Sequence, residues 1–383
     1  MVEFRMSNSL NPIFNNNRLK LGTFGTNGVG PLTTVPENYT AEWANSLQLA
    51  QIADRAGLEA IIPYSRWKGY VTGQPDDRTG RVMDAFAWAA AIAASTDYSA
   101  IFSTAQAPTF HPIVAAKQCA TIDIISNGRF GLNVVGGWNR PELEMFGAPM
   151  KEHDERYAYL AEWLEIMTRL WQSDTAFDHH GQFFDIIGGA AAPRPIQKPR
   201  PAIMNAGGSP RGMRFAAEHA DMCFVIVQDD DPAKIRAQVD EYKIMAKRDY
   251  NRDVQVWSSA YVVQRDTDEA AQAYLTHYSV DHEDTAAVDA WLKLLSVESK
   301  LMAPDALRAA RQRFAAGAGG FPLVGTPERI VSRLQMLSDS GIDGVVLTWV
   351  DFVDGLTRFV DDCLPLLEQA GLREKFSAVK SGR

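Results

Sequence analysis

The sequence predicts a (β/α)8 barrel with insertions, formed as a single domain over residues 1–383. Three observations carry this expectation. About eight short apolar strand candidates alternate with helical stretches, as parallel βαβ units do. The polar residues gather at the ends of those strands, where a barrel places its active site. No GxGxxG follows the first strand: GTFGTNGVG, from Gly22 to Gly30, has glycines without that spacing and without a helix opening on them, which counts against an open doubly wound sheet.

Taken in order, residues 19–24 form the first strand. Residues 40–57 form a helix, with Trp43, Leu47 and Ala50 on one face and Gly57 as its C-terminal cap. A second strand at 58–62 leads into a polar loop, SRWKGYVTGQPDDRTGR. An Ala-rich helix at 85–94 precedes a third strand at 99–103, and a helix at 112–125 starts on proline. The fourth strand, 130–135, contains Asn133 inside an apolar run, and a buried amide is costly unless it finds partners. Helical pattern follows over 154–171, then an irregular Gly-, Ala- and Pro-rich stretch over 178–201. Strands at 202–205, 222–227 and 254–263 alternate with helices opening at SPRGMRFAAEHA, at 232–248 and at Asp268. Residues 280–321 read as helical and end in AAGAGGF. TPERIVSRLQMLSDSG is a helix, GVVLTWV the last strand, and 355–371 a C-terminal helix. The segments at about 71–81, 178–200 and 280–321 are expected as insertions on the substrate side.

A formal net charge of -9 counts against nucleic acid or an anionic membrane as the main partner. No apolar stretch reaches the roughly 18 residues of a membrane span, and the first residues lack the pattern of a signal peptide, so a cytoplasmic protein is expected. Cys119, Cys223 and Cys363 sit apart in apolar runs and read as buried thiols in a reducing compartment. His179 and His180 have no third ligand at metal spacing, so no metal is expected.

The strand ends offer Thr23, Phe24, Tyr64, Ser65, Arg66, Ser103, Thr104, Asn133, Asn205, Thr348 and Trp349. That inventory holds no carboxylate pair, no Ser-His-Asp order and no metal cluster. Its amides and hydroxyls suit the edge of a planar heteroaromatic cofactor, and its aromatics suit the ring face. AGGSPRG, from Ala206 to Gly212, places two glycines and Ser209 at a helix start, which reads either as an anion site or as an ordinary Ser-capped turn. HDERY, from His153 to Tyr157, either adds Arg156 and Tyr157 to that site or is an exposed helix start. His111 and His153 read as acid–base candidates or as loop histidines.

The order GRFGLNVVGGW, EHDERYAYLAEWLEIMTRLW, HGQFFDI, AGGSPRG, LVGTPERI resembles the bacterial luciferase-like flavin monooxygenases, most nearly their pyrimidine and dimethylsulfone monooxygenase branch. The likeness runs from Leu19 to about Leu366. It implies a luciferase-like barrel that uses reduced FMN and O2, with NAD(P)H acting through a separate flavin reductase, a small-molecule substrate, and a homo-oligomer, dimer or tetramer. It implies flavin contacts from Ser65 and Arg66, with Asn133 facing the flavin edge and Thr104 lining an oxygen pocket with it. Glu142 matches an acidic residue that touches the cofactor in the pyrimidine branch. Arg156, Tyr157 and Ser209 match phosphate and ribityl contacts. The pyrimidine branch has Lys where this chain has Arg66, and the loops over 71–81 and 280–321 differ, which leaves the substrate among heterocyclic amides, sulfones and sulfonates. A deazaflavin-dependent hydride transfer on the same fold is the alternative.

Overall fold

The computed structural model describes residues 10–148, 150–295 and 304–377. Eight parallel strands close into a barrel: β1 (Lys20–Phe24), β2 (Ala60–Ile62), β3 (Ala100–Gln106), β4 (Phe130–Val135), β7 (Ala202–Asn205), β8 (Met222–Val225), β9 (Gln255–Gln264) and β11 (Gly344–Thr348). Closure comes from β11 pairing with both β9 and β1, while β8 pairs with β9. Among the described residues, three further strands stand outside this ring. They are the antiparallel hairpin β5 (Phe177–His180) and β6 (Asp185–Gly189), and β10 (Phe321–Gly325), which pairs only with the far end of β9.

Strand side chains alternate, so each strand has an inner and an outer face. Outward residues such as Leu21, Ile101, Leu132, Ile203 and Val345 pack under the surrounding helices. Inward residues Ile62, Phe102, Met204, Met222, Trp257 and Val346 fill the barrel. Ile13, in the short turn Pro12–Phe14, joins this inner cluster, and its carbonyl accepts from Gln255 Nε2 at 2.7 Å at the N-terminal end of β9. Gly131 faces the Phe102 ring so closely that a Cβ would collide with it. The ring fills the barrel there, below the inward positions of Thr104 and Asn133.

The predicted barrel and its eight strands are observed, with differences in detail. The third strand runs on past Ser103 to Gln106. The irregular stretch 178–201 contains the β5–β6 hairpin. Glu162, on α5 (His153–Gln172), accepts from the backbone N–H of Gln182 at 3.0 Å and Phe184 at 2.9 Å, and lies 3.1 Å from His179 Nε2. Burial works against this charge, but His179 and the N–H groups outweigh it and hold the carboxyl below its usual range. The hairpin is thereby tied to α5. Residues 280–321 contain α9 (Thr285–Leu294) and α10 (Pro304–Gly317), with 296–303 outside the described residues, and their expected helical end gives way to β10. The three cysteines are free and buried. None of the described helices is long and apolar enough to cross a membrane.

Candidate active site at the barrel mouth

A cleft opens at the C-terminal ends of the strands. Thr104, Gln106 and Asn133 line it together with Phe24, Tyr64, Ser65, Arg66, Tyr70, Val135, Trp138, Trp291 and Thr348. Four of the eight predicted site residues, Ser65, Arg66, Thr104 and Asn133, therefore share one wall.

Thr104 and Asn133 are register partners on β3 and β4. Asn133 Nδ2 donates to Thr104 Oγ1 at 3.2 Å, and the threonine proton goes to the Pro63 carbonyl at 2.6 Å. That carbonyl can only accept, so Thr104 must give its proton there and Asn133 must offer an N–H to it. The amide orientation follows, and Asn133 Oδ1 is left buried without a partner among the described residues. An orphaned buried acceptor is a group to be satisfied by a ligand's donor.

Arg66 stands between two rings, 4.6 Å from the Tyr64 centroid and 4.0 Å from that of Tyr70. It donates to the Thr79 carbonyl at 3.0 Å and to the Tyr70 hydroxyl. Burial pushes the Tyr70 phenol up to about 12, against the pull of Arg66, so Tyr70 is neutral at physiological pH. Tyr70 stacks on Trp291 at 5.4 Å and meets Trp138 at 6.2 Å. Of the segments over 71–81 and 280–321, the second contributes Trp291 on α9 to the cleft, and the first meets its lining through the Thr79 carbonyl that accepts from Arg66. The loop after β2 is clamped by Asn27, whose Nδ2 donates to Tyr64 O at 2.8 Å and Met83 O at 2.9 Å. Gly28 lies against the Tyr64 hydroxyl with no room for a side chain, which accounts for that glycine in GTNGVG.

Arg156 and Tyr157 lie in the first turn of α5 and Ser209 at the start of α6 (Pro210–His219), and none of the three is among the residues that line the cleft. Arg156 donates to the Gly137 carbonyl at 3.0 Å, and its Nε is buried without a partner. Ser209 caps α6, its Oγ accepting from Gly212 N at 3.1 Å, which leaves its own proton free to donate. Both readings of AGGSPRG are therefore compatible: the cap is real, and the hydroxyl and the helix start still face outward with donors to give. Gly212 lies against the Tyr157 hydroxyl, so a side chain there would displace it.

Glu142 takes a different place. It lies on α4 (Arg140–Met145), is 1% exposed, and does not line the cleft. Its carboxylate accepts from Gln106 Nε2 at 2.6 Å and from the backbone N–H of Trp67 and Lys68. His111 caps α3 (Pro112–Ile125) on the exposed side and is not at the cleft. Gln106 and Tyr70 were not singled out in the sequence. The signal for Gln106 was its inward parity, two residues beyond Thr104, hidden by ending the strand at Ser103.

The match to the luciferase-like monooxygenase family covers residues 19–344. The chain belongs to that family. Among its relatives, this luciferase-like monooxygenase is 29% identical to a pyrimidine monooxygenase of Bradyrhizobium sp. over 376 residues, covering 93% of this chain and 99% of the relative. It is 28% identical over 326 residues to an FMNH2-dependent dimethylsulfone monooxygenase of Pseudomonas putida, covering 84% and 87%. Its fold matches that of a riboflavin lyase solved with modified FMN and riboflavin, with a TM-score of 0.82 at 24% identity and 94% of each chain covered. An F420-dependent secondary alcohol dehydrogenase shares the fold at a TM-score of 0.67 and 17% identity, over 93% of this chain and 99% of that one.

Proposed function

We propose that this chain is the oxygenase of a two-component system. It would take reduced FMN from a separate NAD(P)H:flavin reductase and use O2 to oxygenate a small neutral organic substrate, a pyrimidine-like heterocyclic amide or a sulfone-type compound. The observation that carries this reading is the orphaned Asn133 carbonyl oxygen, held by Thr104 at the wall of an aromatic cleft. The residues present fit a flavin. Arg156 Nε, the Ser209 hydroxyl and the start of α6 supply donors for a phosphate, and Ser65, Thr104 and Asn133 line the wall for a ring edge. When bound, reduced flavin supplies the electrons that activate O2.

The chain's own contribution is binding, orientation and exclusion of water. Asn133 offers a fixed acceptor to an N–H of the ring. Thr104 keeps that acceptor from turning over. Phe24, Tyr70, Trp138 and Trp291 make the walls largely apolar, which strengthens the polar contacts inside and keeps water from the reacting atoms. The substrate classes rest on the names of the relatives and on a cleft whose one bordering cation among the described residues, Arg66, already donates to Tyr70 and Thr79.

The test is reconstitution with FMN, a flavin reductase and NADH, following O2-dependent loss of uracil, dimethyl sulfone and an alkanesulfonate. Oxidation of one of them with FMN is the expected result. Turnover with a reduced deazaflavin in the absence of O2, and none with FMN, would replace this reading by hydride transfer.

A further inference from the structure

Gln106 and Glu142 form a pair whose chemistry determines what the cleft wall presents. Gln106 is 1% exposed and sits at the end of β3, beside Thr104 and at the cleft. Both hydrogens of its Nε2 have acceptors, Glu142 Oε2 at 2.6 Å and the Ser65 carbonyl at 3.3 Å. Turning the amide over would set its oxygen against a carboxylate and a carbonyl, so this orientation is required by its partners rather than chosen among equals. Gln106 Oε1 is then a buried acceptor with no partner among the described residues, as Asn133 Oδ1 is. Two orphaned acceptors from neighbouring strands thus stand at one wall, and one orphaned donor, Trp291 Nε1, belongs to the same cleft lining among the described residues.

We propose that Gln106 is a ligand-reading residue that accepts a hydrogen bond from a ring N–H of the bound cofactor, and that Glu142 is a positioning residue that acts on the cofactor only by holding the Gln106 amide in that orientation. Glu142 is suited to this. It is buried on α4, no cation pairs with it among the described residues, and its three contacts are all N–H donors, each of which needs an acceptor there. The inference rests on the reading above only in taking a flavin-type ring as the occupant. Flavins and deazaflavins share an imide N–H, which is the donor such an acceptor would meet.

A double-mutant cycle decides it. Gln106→Leu, Glu142→Gln and the double variant are titrated anaerobically with dithionite-reduced FMN, following quenching of tryptophan fluorescence, with urea unfolding recorded for each. Gln106→Leu is expected to weaken binding roughly tenfold, as loss of one buried hydrogen bond does. Glu142→Gln, which lets the Gln106 amide turn over, is expected to weaken it by a similar factor, and the double variant no further. Glu142 also holds the Trp67–Lys68 backbone. If that structural role were all, its effect would persist in the Gln106→Leu background, and additive losses would overturn the proposal. Unchanged affinity in Gln106→Leu would overturn it as well. If the wild-type protein binds a reduced deazaflavin and not reduced FMN, the proposed function fails, and the same cycle run on the deazaflavin decides the inference. Binding of neither overturns both.

Discussion

Replacing Thr104 by valine tests the claim that this hydroxyl sets the direction of Asn133. The two side chains are close in volume, so no cavity opens. The hydroxyl is lost from a chain that runs from Asn133 Nδ2 at 3.2 Å through Thr104 to the Pro63 carbonyl at 2.6 Å. One buried N–H and one buried carbonyl lose their partners, at about 1–3 kcal/mol each, and Asn133 recovers part of this by turning over. The net destabilisation is therefore about 2–4 kcal/mol. Thr104→Ser keeps the hydroxyl and removes only a methyl, about 1 kcal/mol. Urea unfolding of the two variants beside wild type reads the difference directly. Binding of reduced FMN should weaken about tenfold in Thr104→Val, because the Asn133 oxygen is no longer held toward the ligand, and stay near wild type in Thr104→Ser. Equal stability of the two variants within about 0.5 kcal/mol, or equal affinity, would refute the reasoning, since the hydroxyl would then do nothing.

Ser209→Ala should cost about 1 kcal/mol through loss of the α6 cap, and weaken reduced FMN while leaving reduced riboflavin, which lacks the phosphate, unaffected; an equal loss for both flavins counts against a phosphate site at this turn. Gly131→Ala forces a Cβ into the Phe102 ring and should destabilise the fold by about 1–3 kcal/mol, seen in the urea midpoint, and a wild-type midpoint would show that the barrel interior has slack. The buried phenols of Tyr39, Tyr70 and Tyr261 are each raised to about 12 by burial. Unfolded tyrosines ionise near 10, so these three contribute stability that is complete below that pH and is lost as pH rises from about 10 to 12. Denaturant midpoints that stay level across this window would contradict the burial.

The alternation of strand and helix, read from periodicity, was enough for the barrel and all eight of its strands, because one period follows the sheet's two faces and the other the helix's one. Strand ends were less legible. Ser103 faces outward and reads as the last strand residue, yet the ladder with β4 continues to Gln106. The β5–β6 hairpin, largely exposed apart from His179 and Ile186, carries too few apolar residues to show a period, and β10 is five residues including a proline. In each case pairing with a neighbouring strand, near in sequence for the hairpin and distant for β3 and β10, makes the strand where local pattern does not show it.

The sequence alone determined the fold class, the end of the barrel that carries the chemistry, and Asn133 as a polar residue needing a partner. These depend on side-chain alternation and on the cost of burying an amide, which are properties of the chain itself. Only the tertiary structure decided what that partner is, that Glu142 stands behind Gln106 instead of at the cleft, and that Tyr70 and Trp291 close a wall from segments 221 residues apart in number. Hydrogen bonds such as Gln106 to Glu142 and Thr104 to Pro63 join residues 36 and 41 positions apart. No local rule sets those distances. They exist because closing the barrel brings the ends of β2, β3 and β4 and the start of α4 to one place, where each donor must find an acceptor away from water.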